Sequence, residues 1–255
     1  MAHALHTLLP DEKMIYYGDT IHLPYGDKSR ETIIRYSLGI ADFMLEQECK
    51  LILIACNTAS ANAFEEVKDH VGDRAAVMNV IDPVVGSVCF ENDEARSVGI
   101  IGTKATIDSG TYENKITRMS AASANPLQVS SLATPLLVPM IEEGFVFDDI
   151  SNAIIRSYLS RKELQGIDSL ILACTHYPII RNQISRYFDF KVNVLDTARI
   201  VADAVRKFLT DHEMLSSERS GPDQFYVSDT TPYFEVIANM FFNEKIRLEK
   251  RNIWK

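Results

Sequence analysis

Short runs of Val, Ile and Leu recur along this chain, apolar on both faces, and an amphipathic stretch follows almost every one. They read MIYYG (14–18), KLILIA (50–55), AAVMNVI (75–81), SVGIIG (97–102), LQVSSL (127–132), SLILA (169–173), KVNVL (191–195) and QFYVS (224–228). A strand that is apolar on both sides has to be covered on both sides, which is the situation of a parallel sheet between helix layers. The segments between them carry helical periodicity, as in residues 29–48 and 196–211. In the second, Ile200, Val201, Ala204, Val205 and Phe208 share one face, with Asp196 or Thr197 placed to cap the start. The alternation predicts an α/β fold with mostly parallel sheets. By composition, only SSERSGPD (216–223) reads as a clear loop.

Two of the apolar runs end alike. LILIACNTAS (51–60) and LILACTHYP (170–178) each close on a cysteine and turn polar within one residue. The echo predicts an internal duplication, at a spacing too long for a solenoid and suited to two pseudo-symmetric α/β halves. The 255 residues suffice for one large domain or two of roughly 100–150 residues. Residues 82–94 read as a helix joining the halves.

Composition excludes several classes. Lys and Arg total 26 against 35 Asp and Glu, a net charge of −9 that repels a phosphate backbone and argues against nucleic acid as a partner. No apolar run approaches the roughly 20 residues needed to span a bilayer, so no membrane partner is expected. The start MAHALHTLLPDEK lacks the charged flank and apolar core of a secretory signal, and a cytoplasmic location is expected. The four cysteines, Cys49, Cys56, Cys89 and Cys174, form no CxxC pair, which argues against a zinc knuckle or dithiol site. Cys49 and Cys89 read as small buried hydrophobes. His3, His6, His22, His70 and His212 show no metal-ligand spacing, GxxxxGK[ST] and GxGxxG are absent, and the charged run at 244–251 reads as a solvated face.

In parallel α/β sheets, ligands bind beyond the carboxyl ends of the strands, where helices begin. Cys56 and Cys174 fall there, followed by Asn57 and Thr58 and by Thr175 and His176. A helix N-terminus lowers a thiol's pKa and attracts a carboxylate. Two such thiols facing one acidic small molecule are what racemisation requires: one takes the α-proton and the other returns a proton to the opposite face. Taken singly, a cysteine that ends a buried strand is an ordinary packing residue. A cysteine hydrolase reading of Cys174 and His176 is weaker, because nucleophile and base usually come from distant parts of the sequence.

YYGDTIHLPYG (16–26), ACNTAS (55–60), GIIGTKATIDSGTY (99–112), VPMIEEG (138–144) and LILACTHYP (170–178) together resemble the bacterial glutamate racemases, of the cofactor-independent aspartate/glutamate racemase superfamily. FYVSDTTPYFEVIANMFF (225–242) resembles the C-terminal segment of that family, so the likeness covers essentially the whole chain. It implies two α/β halves, residues 1–94 with 196–255 and residues 95–195, with glutamate in the cleft between them. It also implies interconversion of L- and D-glutamate without a cofactor or metal, a supply of D-glutamate for peptidoglycan, and a homodimer.

Residue by residue, Cys56 and Cys174 match the two catalytic thiols. His176 matches the residue that assists the second thiol as acid or base, and Glu142 an acidic residue near it. Tyr25 and Gly26 match a substrate-binding pair, Asn57 and Thr58 the residues holding substrate beside the first thiol, and Thr175 a contact beside the second. Thr103 and Thr106 match further hydroxyl contacts. Helix capping would use the same atoms of both threonines, and Glu142 would otherwise be an exposed helix charge. Aspartate or another acidic substrate remains the enzymatic alternative.

The resemblance departs at the front. The family's opening FDSGxGG, which supplies an Asp assisting the first thiol, a Ser binding substrate and a first strand, has no counterpart before MAHALHTLLP. Either a start codon lies upstream, the reading that the intact later motifs favour, or the chain is short and is a catalytically impaired ligand-binding form.

Overall fold

The computed structural model describes residues 1–90, 96–123, 125–230 and 246–254. Among them the strands are β1 (Ile15–Gly18), β2 (Leu51–Ile54), β3 (Ala76–Asn79), β4 (Ser97–Gly102), β5 (Gln128–Ala133), β6 (Ser169–Ala173), β7 (Asn193–Val194), β8 (Gln224–Val227) and β9 (Leu248–Lys250). The helices are α1 (Ala2–Leu8), α2 (Arg30–Glu46), α3 (Asn57–Val71), α4 (Ile81–Phe90), α5 (Lys104–Asp108), α6 (Thr111–Ser120), α7 (Leu137–Glu142), α8 (Asp149–Leu159), α9 (Arg181–Tyr187) and α10 (Thr197–Asp211). All the strand pairings are parallel, in the orders β5-β4-β6-β7, β2-β3 and β1-β8-β9. This is the expected α/β fold.

The four-stranded sheet is covered on both faces, and its side chains alternate between two cores as a pleat of period two requires. Val98, Ile100, Ile171 and Ala173 pack with Val84, Val85 and Val88 of α4 and Val201 and Val205 of α10. Ile101, Leu170 and Leu172 point the other way, onto Leu137, Ile155, Leu159 and Tyr177. Cys174 continues that second set at the strand's end. A third core packs α2 and α3 on β2, through Ile33, Ala41, Ile52, Ala63 and Val67. Each fully buried aliphatic side chain contributes roughly 1.5–3 kcal/mol.

Several expected boundaries shift for local reasons. AAVMNVI is a strand only to Asn79, whose Oδ1 accepts the N–H groups of Ile81 and Asp82, both at 2.8 Å, and so starts α4 early. On α10 the buried stripe is Val201, Ala202, Val205 and Leu209, whereas Phe208 stacks on His212. The run at 244–251 contains an edge strand: Leu248–Lys250 pairs with β8 while Glu249 and Lys250 stay exposed. Cys49 and Cys89 are half-buried against the cores rather than enclosed. The end of the expected joining helix, residues 91–94, and residues 231–242 of the expected C-terminal motif lie outside the described residues. Among the described residues, no helix is long and apolar enough to cross a membrane.

Candidate active site

Cys56 is the N-cap residue of α3, in an extended conformation that turns the chain from β2 into the helix. Asn57, Thr58, Ala59 and Ser60 behind it are buried, and the Ser60 hydroxyl donates to Ile54 O at 2.8 Å, tying the first helical turn to the strand. Burial pushes the Cys56 thiol up; the Ala59 N–H opposes this, negative charge at Cys174 adds to it, and the N–H and hydroxyl of Thr58 oppose it again. The lowering expected at a helix N-terminus is therefore outweighed here by desolvation.

Cys174 is 7% exposed at the end of β6. Its Sγ lies 3.7 Å from His176 Nδ1, and the opposite ring nitrogen, Nε2, lies 3.2 Å from Glu142 Oε1 at the end of α7. Burial lowers the His176 pKa, but the adjoining Cys174 and Glu142 more than reverse this and raise it to about 10. An imidazolium there donates to the thiol on one side and the carboxylate on the other. Glu142 is thus an ion-pair partner rather than a free helix charge.

The hydroxyls of Thr58, Thr103 and Thr106 form a triangle with edges of 3.0, 3.2 and 2.9 Å. Thr103 also caps α5 by accepting the Thr106 N–H at 3.3 Å, so its capping reading is realised. Gly26 packs on this group so closely that an added Cβ would stand 2.7 Å from Thr103 Cβ. Beside it, Tyr25 donates its hydroxyl to Asp19 Oδ2 at 2.7 Å. Asn57 is fixed by the Tyr112 hydroxyl, which donates to Asn57 Oδ1 at 2.7 Å.

Thr175 is exposed. With Asn57 and Cys174 it lines a cavity of about 20 Å³ between the ends of β2 and β6. That is room for a water or two rather than an amino acid. A larger cavity, about 430 Å³, lies between α8 and α9 and is lined by neither thiol. The smaller cavity reaches Cys174, and neither is lined by Cys56. Sequence reasoning missed Asp19, Tyr112 and Trp254, whose Nε1 donates to Asp19 Oδ1 at 2.9 Å. Asp19 stood in the quoted GDT, but nothing in the pattern marked its distant partners Ser228 and Trp254. Among the described residues, no group of three or more His, Cys, Asp or Glu is arranged to hold a metal ion.

Residues 1–205 match the family model described as Asp/Glu/Hydantoin racemase. The chain belongs to that family. It is 38% identical over 240 residues to the glutamate racemase of Geobacter metallireducens, covering 93% of this chain and 86% of that protein. To the glutamate racemase of Aquifex aeolicus it is 35% identical over 244 residues, covering 95% and 89%. Its fold matches the crystal structure of Francisella tularensis glutamate racemase in complex with D-glutamate. The TM-score is 0.90 at 34% identity, over 99% of this chain and 92% of that one. In this member of the racemase family the thiols, the hydroxyl triangle and His176 stand at strand ends or helix starts, and Glu142 reaches His176 from the end of α7.

Proposed function

We propose that this chain interconverts L- and D-glutamate by a two-thiol acid/base mechanism. The observation that carries it is the pair of thiols at corresponding strand ends, Cys56 after β2 at the start of α3 and Cys174 after β6. The substrate lies between the strand end that carries Cys56 and the one that carries Cys174. One thiol, as thiolate, takes the α-proton; the carbanion is protonated on its opposite face by the other, as thiol. The reverse reaction exchanges the two roles, and no cofactor is required. Thr58, Thr103, Thr106 and Asn57, with Tyr25, Gly26 and Thr175, hold the carboxylates and the amino group. Burial that raises Cys56 strengthens it as a base once it is ionised, and His176 with Glu142 serves the proton at Cys174. The glutamate racemase relatives support the substrate. D-Glutamate for peptidoglycan, made in the cytoplasm, is the role the resemblance implies.

Incubation with each glutamate enantiomer in D₂O tests this. The expected result is solvent deuterium at the α-carbon of both enantiomers, with aspartate far slower. Cys56→Ser and Cys174→Ser should each lower racemisation by a factor of about 10² or more. A folded protein that exchanges neither enantiomer, or a serine variant with full turnover, would refute the reading.

A further inference from the structure

Asp19 is 8% exposed and gathers contacts from four side chains. Its Oδ1 accepts from Trp254 Nε1 at 2.9 Å and Ser228 Oγ at 3.1 Å. Its Oδ2 accepts from the Tyr25 hydroxyl at 2.7 Å, and His22 Nδ1 lies 3.0 and 2.8 Å from the two oxygens. A buried carboxylate so held has one orientation, because any rotation breaks several charge-assisted hydrogen bonds together.

Trp254 is set as firmly. Its ring meets His22 at 4.9 Å and Tyr36 at 5.4 Å between centroids, edge to face, and His22 in turn stacks on Tyr36 at 3.8 Å. It fills a notch at Gly39 of α2, where an added Cβ would stand 2.7 Å from Trp254 Cζ3. The tail that carries it is tied down just before, where Arg251 N–H donates to Val227 O at 2.8 Å and the Tyr17 hydroxyl to Arg251 O at 3.0 Å.

We propose that Trp254 is a positioning residue for the substrate-binding turn, holding Asp19 in the orientation that fixes Tyr25 and so presses Gly26 against Thr103. The inference rests on the racemase reading for its kinetic consequence, and on geometry alone for the coupling of Trp254 to Tyr25. A turn that grips substrate equally in ground and transition states changes KM and leaves kcat nearly alone.

Trp254→Phe keeps an aromatic ring in the notch and removes the N–H. Its KM for glutamate should rise about tenfold, the scale of a lost hydrogen bond to a carboxylate, with kcat within about twofold. Gly39→Ala crowds the ring without touching a polar group and should raise KM in the same direction. As Trp254 is the chain's one tryptophan, its fluorescence reports the coupling without any turnover. Tyr25→Phe should shift the emission maximum by altering the hydrogen bonding of Asp19. An unchanged KM in both the Trp254 and Gly39 variants of an active enzyme, or an unshifted emission in Tyr25→Phe, would overturn the proposal. If the parent protein fails to exchange glutamate, the racemase reading falls, and the emission arm still decides the coupling.

Discussion

Glu142 Oε1 lies 3.2 Å from His176 Nε2, on the side of the ring turned away from Cys174. The imidazole therefore sits between a carboxylate and a thiol, and both favour its protonated form. Burial alone would lower its pKa, yet these neighbours raise it to about 10, against an ordinary value of 6.5.

Replacing the carboxylate tests that balance. Glu142→Gln removes a negative charge and leaves the shape, so the His176 ring should titrate lower by about one unit or more. A pH titration of the ring by NMR reads the change. The sign for stability follows from the raised folded value. His176 contributes stability in full below 6.5, and the contribution is lost as pH rises through about 10. Thermal denaturation of the parent should thus weaken across that window, with a smaller decline in Glu142→Gln. An unmoved ring titration would show that the carboxylate does not hold the proton.

Tyr112 holds Asn57 from beneath the first thiol's helix, and it is 3% exposed. Tyr112→Phe preserves the ring and strands Asn57 Oδ1 in a buried place. The expected loss is about 1–3 kcal/mol in denaturant unfolding, the cost of an unsatisfied buried acceptor. The KM for substrate should rise as well, since Asn57 becomes free to turn. A variant as stable as the parent would mean that Asn57 finds another donor.

How much of this was legible follows from the kind of signal each residue gives. SVGIIG and SLILA became β4 and β6 with the expected bounds, because strands buried on both faces leave an unbroken apolar run. Cys56 and Cys174 were legible for the same reason, as each marks where such a run stops. β9 was not, because an edge strand with Glu249 and Lys250 facing water has no apolar run to show. The cluster at Asp19 was not legible either. Its partners Ser228 and Trp254 come from far along the chain, and a polar contact made across a fold leaves no periodicity in the sequence. At half-buried Cys56 the sequence displays the helix start, which favours the thiolate, but not the surrounding groups whose desolvation pushes the thiol up.

Gly26 gives the most direct test of how closely the substrate-binding turn must approach the hydroxyl triangle. A Cβ at that position would stand 2.7 Å from Thr103 Cβ and 2.9 Å from its methyl carbon, distances that real side chains do not sustain. Thr103 cannot simply yield, because its hydroxyl both caps α5 and bonds Thr58 and Thr106. The turn must therefore lift away, carrying Tyr25 with it and straining the bond from its hydroxyl to Asp19. Gly26→Ala should raise KM by about tenfold or more, the scale of losing one well-placed hydrogen bond to an anion, and lower stability by about 1–3 kcal/mol, the usual cost of forcing a carbon into a packed contact. Steady-state racemisation kinetics with thermal melting read the two effects separately. Unchanged KM would mean that Tyr25 and Gly26 stand clear of the bound substrate, and the binding role would then fall to Asn57 and the three threonines.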